Sequence, residues 1–347
     1  MNGSALTMQD AIPEADVGAL RVVVTGAGGF IGGHVVRSLC ALAGVQVVAV
    51  DLKPLDAWFQ RLPNAENVVA DVSDRATCYR LLDGAEQVYN FAADMGGMGF
   101  IEQHKALCML SVLMNTHLLL AARDLGVQRF FFASSACVYP QARQDRVDQP
   151  ALRESDAYPA DPEDGYGWEK LFSERMCRHF QEDFGLECRV ARYHNIYGPL
   201  GTYAGGREKA PAAICRKIAE AQLNGRRSIE VWGDGKQQRS FTYIDDAVDG
   251  TLRLMASPVS DPLNIGSDEM VSIDDLVTLV EEVAGYRVQR RYNLGAPVGV
   301  RSRTSDNTQV CERLGWAPTT PLAVGIEPTY RWVYDQVARG RQLGASA

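Results

Sequence analysis

The sequence predicts an α/β fold in which a parallel β-sheet is covered by helices on both faces. From residue 20 onward, short apolar runs rich in β-branched residues alternate with helical stretches, and these runs lie at residues 20–25, 46–50, 68–72, 87–91 and 129–134. Strands that are buried on both faces and separated by helices are typical of parallel sheets. The first run also leads into a glycine-rich loop, GAGGFIG, that opens a helical pattern. Together these observations indicate a Rossmann-type, doubly wound parallel sheet.

The length of the chain favours two lobes, because 347 residues exceed the size at which a single core usually stops growing. Near residue 195 the composition changes to glycine-rich loops such as YGPLGTYAGG and WGDGKQQR. We therefore expect a flexible leader at residues 1–19, a dinucleotide-binding Rossmann domain at 20–194, and mainly a smaller α/β C-terminal substrate-binding lobe at 195–347. Some segments of this last range are expected to return to the first domain.

Composition and charge argue against several functions. A formal net charge of −8 disfavours binding to nucleic acid or to an anionic membrane, since phosphate-rich surfaces attract basic faces. No apolar run approaches the ~20 residues that span a bilayer, and residues 1–19 lack the basic start and apolar stretch of a secretory signal. The eight cysteines are scattered, with no CxxC pair and no framework spacing. We expect a soluble cytoplasmic protein with reduced thiols, no membrane partner and no metal.

The first glycine-rich loop contains Gly26, Gly29 and Gly32 in a GxxGxxG arrangement. The first glycine permits a sharp turn, the second admits a pyrophosphate, and the third lets helix and strand pack closely. The pyrophosphate would lie at the N-terminus of the helix that Phe30 and Ile31 begin, where free N–H groups and the helix dipole favour an anion.

Asp51 ends the second apolar run, 19 positions after Gly32. This is the spacing of a carboxylate that binds the adenosine ribose hydroxyls. Because a carboxylate repels a 2′-phosphate, we predict NAD as the cofactor, although the nearby Lys53 keeps NADP open as an alternative. Asp71, after the third run, is either an acceptor for the adenine amino group or a loop or helix-cap aspartate.

Tyr166 and Lys170 form a YxxxK unit at the start of a helical pattern. The i,i+4 spacing places the phenol and the ammonium on one helix face. A tyrosine with a usual pKa near 10 needs help to act as a base at neutral pH, and a nearby ammonium stabilises its phenolate. The unit is common on amphipathic helices by itself. Together with the glycine loop and with Ser135 at the end of an intervening strand, it predicts a redox pair.

A long helix is predicted from residue 104 to 125, with apolar residues at Leu107, Leu110, Met114, Leu118 and Ala121. The favoured interpretation is a stripe that faces the core. Its opposite side is also unusually apolar, so the helix is a candidate interface for a homodimer, and the two interpretations are compatible.

These motifs resemble the extended short-chain dehydrogenase/reductase family, whose members mostly modify nucleotide sugars. The matching segments are VTGAGGFIG, the strand-end Asp51 and Asp71, FAAD at 91–94, SSACVYP at 134–140, and YGWEK. The resemblance implies that Ser135 positions a substrate hydroxyl, that Tyr166 takes its proton, and that NAD⁺ receives the hydride.

Two further residues distinguish this chain within that resemblance. Cys137 stands where most relatives carry Ser or Thr, and a thiol exchanges protons near neutral pH more readily than an alcohol. Lys209 lies in GGREKAPAAICRK (205–217), and a lysine in a partly desolvated cleft is a general acid. The alternative for Cys137 is a small buried cysteine without a role in catalysis, and the alternative for Lys209 is a position in a solvated surface loop.

Longer strings resemble the GDP-mannose 3,5-epimerase family across essentially the whole chain. They are ADMGGMGFIE (93–102), SSACVYP, RYHNIYGPLGTYAGGREKAPAA (192–213), WGDGKQQRSFTYID (232–245), NIGSDEMVS (264–272) and GVRSRTSDN (299–307). The resemblance implies transient oxidation of GDP-mannose at C4, proton exchange at C5 and C3 by Cys137 and Lys209, and re-reduction to GDP-L-galactose or GDP-L-gulose.

The same resemblance implies a set of substrate contacts. Arg239 and Arg301 fall where arginines lie near the pyrophosphate, a task that suits the planar guanidinium. The other implied contacts are Gly96, Ser135, Cys137, Asn195, Glu208, Lys209 and Lys217.

Other functions remain as alternatives. A 4-epimerase, a 4,6-dehydratase or a decarboxylase on the same scaffold would also begin by oxidising C4, so Tyr166 and Lys170 do not separate them. A non-catalytic NAD-binding regulator could keep the glycine loop but has no use for an intact tyrosine–lysine pair.

Overall fold

The computed structural model describes residues 19–147 and 149–345, so residues 1–18 of the predicted leader lie outside the described part of the chain. Its strands are β1 (Leu20–Thr25), β2 (Val45–Asp51), β3 (Glu66–Val69), β4 (Gln87–Asn90), β5 (Arg129–Ser135), β6 (Glu187–Tyr193), β7 (Ile196–Tyr197), β8 (Ser228–Trp232), β9 (Gln238–Ser240), β10 (Thr242–Tyr243), β11 (Leu263–Ile265), β12 (Met270–Ser272), β13 (Gln289–Asn293) and β14 (Ser302–Arg303). Its α-helices are α1 (Phe30–Cys40), α2 (Arg75–Leu82), α3 (Met98–Gln103), α4 (Lys105–Asp124), α5 (Tyr166–Phe184), α6 (Ala210–Asn224), α7 (Ile244–Ala256), α8 (Ile273–Ala284), α9 (Thr308–Leu314) and α10 (Leu322–Ala345).

Seven strands form one sheet in the order β3-β2-β1-β4-β5-β6-β11, and every neighbouring pair is parallel. The chain winds outward from β1 to β3 and then restarts in the opposite direction at β4. Ligands of such sheets bind beyond the carboxyl ends of the strands, next to this reversal. The predicted doubly wound parallel sheet is therefore confirmed.

Side chains of the central strand β1 point alternately into two hydrophobic cores. Val22 and Val24 pack in the core that α1 and α7 cover, whereas Val23 packs in the core covered by α2, α4 and α5. All three valines are completely buried. Because successive side chains of a strand point to opposite faces, burial on both faces requires the continuous apolar run seen in the sequence.

A third core lies in the region after residue 195, where α6, α8 and α10 pack around Ile218, Val277 and Ile326. Short strand pairs accompany it, namely β8 with β13, β7 with β10, and β9 between β12 and β14. This region also contributes to the large sheet, because β11 pairs with β6 and α7 packs against α1.

The third strand departs most from the predicted boundaries. It was expected at residues 68–72, but β3 spans Glu66–Val69. The chain turns early because Asp71 Oδ1 accepts a hydrogen bond from Ser73 N at 2.8 Å, and Asp74 caps α2 through Thr77 N. Val72 is buried in this turn rather than paired in the strand.

The core stripe predicted for the long helix is wrong in its first half. Leu107 and Leu110 are 44% and 55% exposed, and the side that faces inward there carries Cys108, Ser111 and Asn115. The second half buries apolar side chains that include Leu118 and Ala121, as predicted. The first half follows this pattern because it borders the polar site described below rather than the apolar core.

By length and composition alone, α4 could cross a membrane, which differs from the sequence expectation. A core helix of a water-soluble fold passes the same test, and 39% of the tested window is buried inside this fold. Asn115, in the middle of the helix, is hydrogen-bonded to three other polar side chains. These hydrogen bonds join α4 to β4 and α5, and α4 also packs against α2.

Candidate active site

A cavity of about 280 Å³ lies where the carboxyl ends of β5 and β6 face the later part of the chain. Ser135 ends β5, Cys137 lies in the short 3₁₀ turn that follows, and Tyr166 begins α5. Lys209 is the N-cap of α6 on the other side. Residues predicted for catalysis or substrate binding that line this cavity are Gly96, Ser135, Cys137, Tyr166, Asn195, Glu208, Lys209, Lys217 and Arg239.

The glycine loop has the close approaches that its sequence predicted. Gly26 adopts φ +70°, and a Cβ there would lie 2.7 Å from the carbonyl carbon of Phe91. A Cβ on Gly32 would lie 2.3 Å from the carbonyl oxygen of Gly26. Helix α1 begins directly after Gly29 and has no side-chain cap, so its first N–H groups are available to an anion. This cradle fits the pyrophosphate of a dinucleotide.

Asp51 stands at the end of β2, and its Oδ1 accepts a hydrogen bond from Lys53 N at 3.0 Å. Lys53 Nζ donates to the carbonyl oxygen of Gly28 at 2.6 Å, so this ammonium is engaged with the glycine loop. That engagement weakens the case for Lys53 as a 2′-phosphate ligand. Asp71 is exposed and forms the loop turn with Ser73, which is one of the two roles left open for it.

Tyr166 and Lys170 are both buried at the start of α5, with 5% and 2% exposure. Lys170 Nζ lies 5.4 Å from the centre of the Tyr166 ring, at the predicted one-turn separation. Burial, followed by the nearby Cys137 and Glu169, raises the pKa of Tyr166 well above its usual value, while a hydrogen bond with Ser135 acts in the opposite direction. Burial thus opposes formation of the phenolate in the protein alone.

The Cys137 thiol lies beside a buried ion pair. Arg303 Nη1 donates to Cys137 Sγ at 3.6 Å, and Arg303 Nη2 is hydrogen-bonded to the carboxylate of Glu163. Gln144 Oε1 accepts from Arg303 Nε at 2.6 Å and fixes the guanidinium. Burial, followed by the charge of Glu163, raises the pKa of Cys137 to about 11. The thiol is therefore a proton donor at neutral pH.

Lys209 reaches the cavity because the loop before α6 packs on the chain segment before α3. Gly97 N donates to the carbonyl oxygen of Arg207 at 3.0 Å, and a Cβ on Gly97 would lie 2.5 Å from the carbonyl oxygen of Glu208. A Cβ on Gly96 would be 3.2 Å from the Cα of Arg207. The two glycines thus permit a contact between the two loops that larger residues would prevent.

The side chain of Arg207 fastens this contact. Its Nη1 donates to Asp94 Oδ1 at 3.1 Å, and its guanidinium lies 3.7 Å above the ring centre of Phe100. Lys209, two residues later, is half-buried, and burial lowers its pKa, with the positive charge of Arg303 acting in the same direction. This environment favours a lysine that gives up its proton readily.

Three other predicted contacts line the cavity with their polar groups partly engaged. Asn195 Nδ2 donates to the carbonyl oxygen of Ser240 at 3.0 Å. Glu208 Oε1 accepts from Arg216 Nη2 at 2.9 Å. Lys217 Nζ donates to the carbonyl oxygen of Glu230 at 2.8 Å, and burial lowers its pKa.

The two predicted arginines differ in position. Arg239 lines the cavity, and burial, followed by the charge of Arg303, lowers its pKa to about 9. Arg301 does not line it. Its Nη1 is paired with both oxygens of Asp234 at 3.1 and 3.2 Å, and its side chain is 36% exposed. The ion pair with Asp234 holds Arg301 outside the cavity, whereas Arg303, two residues later, enters it.

Sequence reasoning missed Arg303, Glu163 and Trp232. Arg303 and Trp232 line the cavity, and Glu163 is the buried partner of Arg303. The segment GVRSR contains two arginines, but nothing in its spacing indicates which one faces inward. Glu163 precedes the YxxxK unit by three residues, and this proximity could have indicated that it lies near the site. Among the residues that the structure describes, no group of three His, Cys, Asp or Glu residues could hold a metal ion.

Taken together, a glycine cradle at the reversal of a parallel sheet and a tyrosine–lysine pair facing a cavity define an NAD-dependent enzyme. Comparison with known proteins specifies the class. Residues 22–266 match the model of the NAD dependent epimerase/dehydratase family. The chain belongs to this family.

Relatives and solved structures agree with this assignment. The chain is 46% identical over 326 residues to GDP-mannose 3,5-epimerase 1 of Oryza sativa subsp. japonica, covering 94% of this chain and 84% of the relative. It is 44% identical to GDP-mannose 3,5-epimerase of Arabidopsis thaliana, with 94% and 85% covered. A UDP-glucose 4-epimerase of Thermotoga maritima, solved with UDP-glucose, superposes with a TM-score of 0.82 at 25% identity, covering 91% of this chain and 99% of that one.

Proposed function

We propose that this enzyme is a GDP-mannose 3,5-epimerase that yields GDP-L-galactose, GDP-L-gulose or both. The observation that carries the proposal is the presence of Cys137 and Lys209 on the same cavity as Tyr166. Sugar oxidation needs only the tyrosine, whereas inversion beside a ketone needs groups that exchange protons with carbon. The similarity to the plant enzymes, which extends over 94% of the chain, points to the same substrate.

The reaction begins with oxidation of the sugar at C4. Tyr166, acting as the phenolate, accepts the proton of the C4 hydroxyl, and Ser135, which ends β5 beside it, holds that hydroxyl in place. When NAD⁺ is bound, it supplies the hydride acceptor and a positive charge that offsets the cost of a buried phenolate. Lys170 adds a second positive charge below the Tyr166 ring.

The 4-keto group then acidifies the C–H bonds at C3 and C5. Cys137 and Lys209 come from different parts of the fold, one after β5 and the other at the start of α6. One removes a proton and the other delivers a proton to the opposite face, as inversion requires. Return of the hydride to C4 completes a redox-neutral reaction.

The charge balance of the cavity suits a nucleoside diphosphate. Arg239 and Arg303 are buried cations beside one buried carboxylate, Glu163. The pKa of Arg239 is lowered by burial and then by the charge of Arg303, and a bound diphosphate would favour the charged form of Arg239. Trp232, which is 42% exposed on the cavity wall, offers an indole face to the guanine base.

Proton NMR in deuterated water tests this function directly. Wild-type protein with GDP-mannose should exchange the protons at C3 and C5 and give new product signals. Cys137→Ala should lose this exchange but still form bound NADH, and Tyr166→Phe should lose both. Exchange at neither carbon would refute epimerisation, and a 4-epimerase, a 4,6-dehydratase or a decarboxylase would instead give its own product. A binding regulator would form no NADH.

We also propose that the enzyme is a homodimer through α4 and α5, which pack side by side. Exposed apolar side chains lie on both helices, including Leu107, Leu110 and Leu113 on α4 and Phe172 on α5. Large apolar side chains exposed on neighbouring helices are candidates for a protein interface. Leu110→Lys should produce monomers in analytical ultracentrifugation, and Val324→Lys, a matched change at an exposed apolar residue of α10, should not. A monomeric wild type would contradict this proposal.

We further propose that the enzyme acts in the cytoplasm. Its eight cysteines are all free thiols, which is the usual state in a reducing compartment. Fractionation of the native source with an antibody should recover the enzyme with soluble cytoplasmic markers. Recovery with membranes or an oxidising compartment would contradict this proposal.

A further inference from the structure

The ammonium of Lys170 lies in an unusual environment. It is 2% exposed, and it makes no hydrogen bond within the described residues. Its Nζ lies 4.7 Å from the ring centre of Phe132 and 5.4 Å from that of Tyr166. The carboxylate of Glu169, the preceding residue, lies closest among charged groups, with Oε2 at 3.6 Å from Nζ. A charge this deeply buried needs a counter-charge to persist.

Glu169 itself is completely buried, and its two oxygens have different surroundings. Oε1 accepts hydrogen bonds from Asn115 Nδ2 at 2.6 Å and from Ser173 Oγ at 3.0 Å. Oε2 has no hydrogen-bond partner in the described chain and lies on the side of Lys170. One oxygen therefore anchors the carboxylate, while the other is left for the ammonium.

A series of hydrogen bonds between buried side chains fixes the orientation of the Asn115 amide that binds Glu169. Thr25 Oγ1 donates to Asn90 Oδ1 at 2.8 Å, and Asn90 Nδ2 donates to Asn115 Oδ1 at 2.7 Å. The amide nitrogen of Asn115 must then point to Glu169 and Ser173, which it does. Thr25 directly precedes Gly26, so the chain connects the glycine loop to α5.

We propose that Glu169 is a positioning residue that acts through Lys170. Its carboxylate is a fixed counter-ion that keeps the Lys170 ammonium in place and positively charged beside Tyr166. The inference rests on the proposed function only through the roles of Tyr166 and Lys170. It explains why a polar chain crosses the inner side of α4, where an apolar stripe would otherwise pack. The carboxylate has no route to the cavity of its own, since it does not line that cavity.

Removal of the negative charge of Glu169 should shift the pKa of neighbouring groups in a defined direction. A carboxylate raises the pKa of every titratable neighbour, because it favours the protonated form of each. The charge of Glu169 is one of the causes that raise the pKa of Tyr166, so neutralising it should lower the apparent pKa of Tyr166. A role limited to packing would change the amount of folded protein but would leave this pKa in place.

Other titratable groups near the pair do not obscure this shift. Cys137 after β5 and Cys108 on α4 face Tyr166, and Cys177 on α5 faces Lys170 and contacts Cys188 on β6. Burial raises the pKa of Cys137 and of Cys108, and contact with Cys188 raises that of Cys177. Glu174, the nearest other carboxylate on α5, is paired with Arg192 at 2.7 Å.

The test is an ultraviolet titration of the Tyr166 phenolate in the holoenzyme without sugar nucleotide. The signal of each protein is obtained by subtracting the spectrum of the same protein carrying Tyr166→Phe. Glu169→Gln should move the phenolate titration to lower pH by about one unit or more. The same change at Glu182, an exposed carboxylate on α5 paired with Arg178, is the matched control and should move nothing.

A second readout is the pH profile of NADH formation from GDP-mannose, in which the limb that reports phenolate formation at Tyr166 should move to lower pH in Glu169→Gln. Glu169→Asp keeps the charge but withdraws it from Nζ, so it should give a smaller shift of the same sign. If Glu169→Gln does not fold, the titration of Glu169→Asp alone tests the proposal. Unmoved titrations in a folded variant would overturn the inference, whereas a wild type inactive on GDP-mannose would refute the proposed function and leave the titration result standing.

Discussion

Neutralising Glu163 should activate the Cys137 thiol, since two effects of the change act in the same direction. The carboxylate raises the pKa of Cys137 by its own charge, and it also compensates the positive charge of Arg303, which lies 3.6 Å from Sγ. With a pKa of about 11, only about one thiol in 10⁴ is a thiolate at pH 7. A nearby charge shifts a pKa by about one to three units, so Glu163→Gln should raise the thiolate fraction at least about tenfold.

The assay is the alkylation of Cys137 by a small haloacetamide, followed over a pH series by mass spectrometry of the Cys137 peptide. The midpoint of the rate should move to lower pH in Glu163→Gln. Asp164→Asn is the control, because it neutralises the adjacent carboxylate, which is exposed and paired with Lys105. Glu163→Gln should also lose about 3–5 kcal/mol of stability, the usual result of leaving one partner of a buried ion pair alone.

Two results would refute this reasoning. An unchanged midpoint in a folded Glu163→Gln protein would mean that the carboxylate does not control the thiol. A midpoint moved to higher pH would mean that Arg303 leaves its place near Sγ once its partner is neutral. Thermal unfolding separates both from a general loss of structure.

Other predictions follow from the buried groups and the close contacts. Burial lowers the pKa of His194 to about 3 and of His34 to about 4, whereas the unfolded chain protonates each near 6.5. Stability should therefore fall as the pH drops from 6.5 toward 4, by about 1.4 kcal/mol per pH unit for each histidine. Denaturant unfolding of His194→Gln should lack the contribution of one histidine to this slope. Gly26→Ala should lose NAD binding by calorimetry, because its Cβ would meet Phe91 in a left-handed conformation; unchanged affinity would contradict the cradle. Arg207→Ala should raise the KM for GDP-mannose several-fold with a nearly unchanged Tm, and an unaltered KM would show that the contact does not place the Lys209 loop.

The sequence predicted the part of the site that local pattern determines. Gly26, Gly29 and Gly32 had to follow a buried strand and open a helix, and the backbone contacts of Gly26 and Gly32 show why other residues would not fit. Tyr166 and Lys170 share a helix face for the same local reason, since i and i+4 are neighbours in any α-helix.

Contacts between residues far apart in the sequence could not be predicted from local pattern. The choice between Arg301 and Arg303 depends on Asp234 and Glu163, which lie far away in the sequence. The inward side of α4 was mistaken because the periodic pattern reports hydrophobicity. Ser111 is instead buried to accept a hydrogen bond from Asp94 N, and Asn115 is buried to meet polar partners on β4 and α5.

By itself, therefore, the sequence determined the parallel sheet, the dinucleotide loop and the identity of the residues available for proton transfer. The tertiary structure decided which of them meet and in which protonation state. Burial raises the pKa of Tyr166 and Cys137 and lowers that of Lys209. The physical reason is that hydrophobic period and turn chemistry act over a few residues, whereas desolvation and charge pairing depend on every segment that closes around a group.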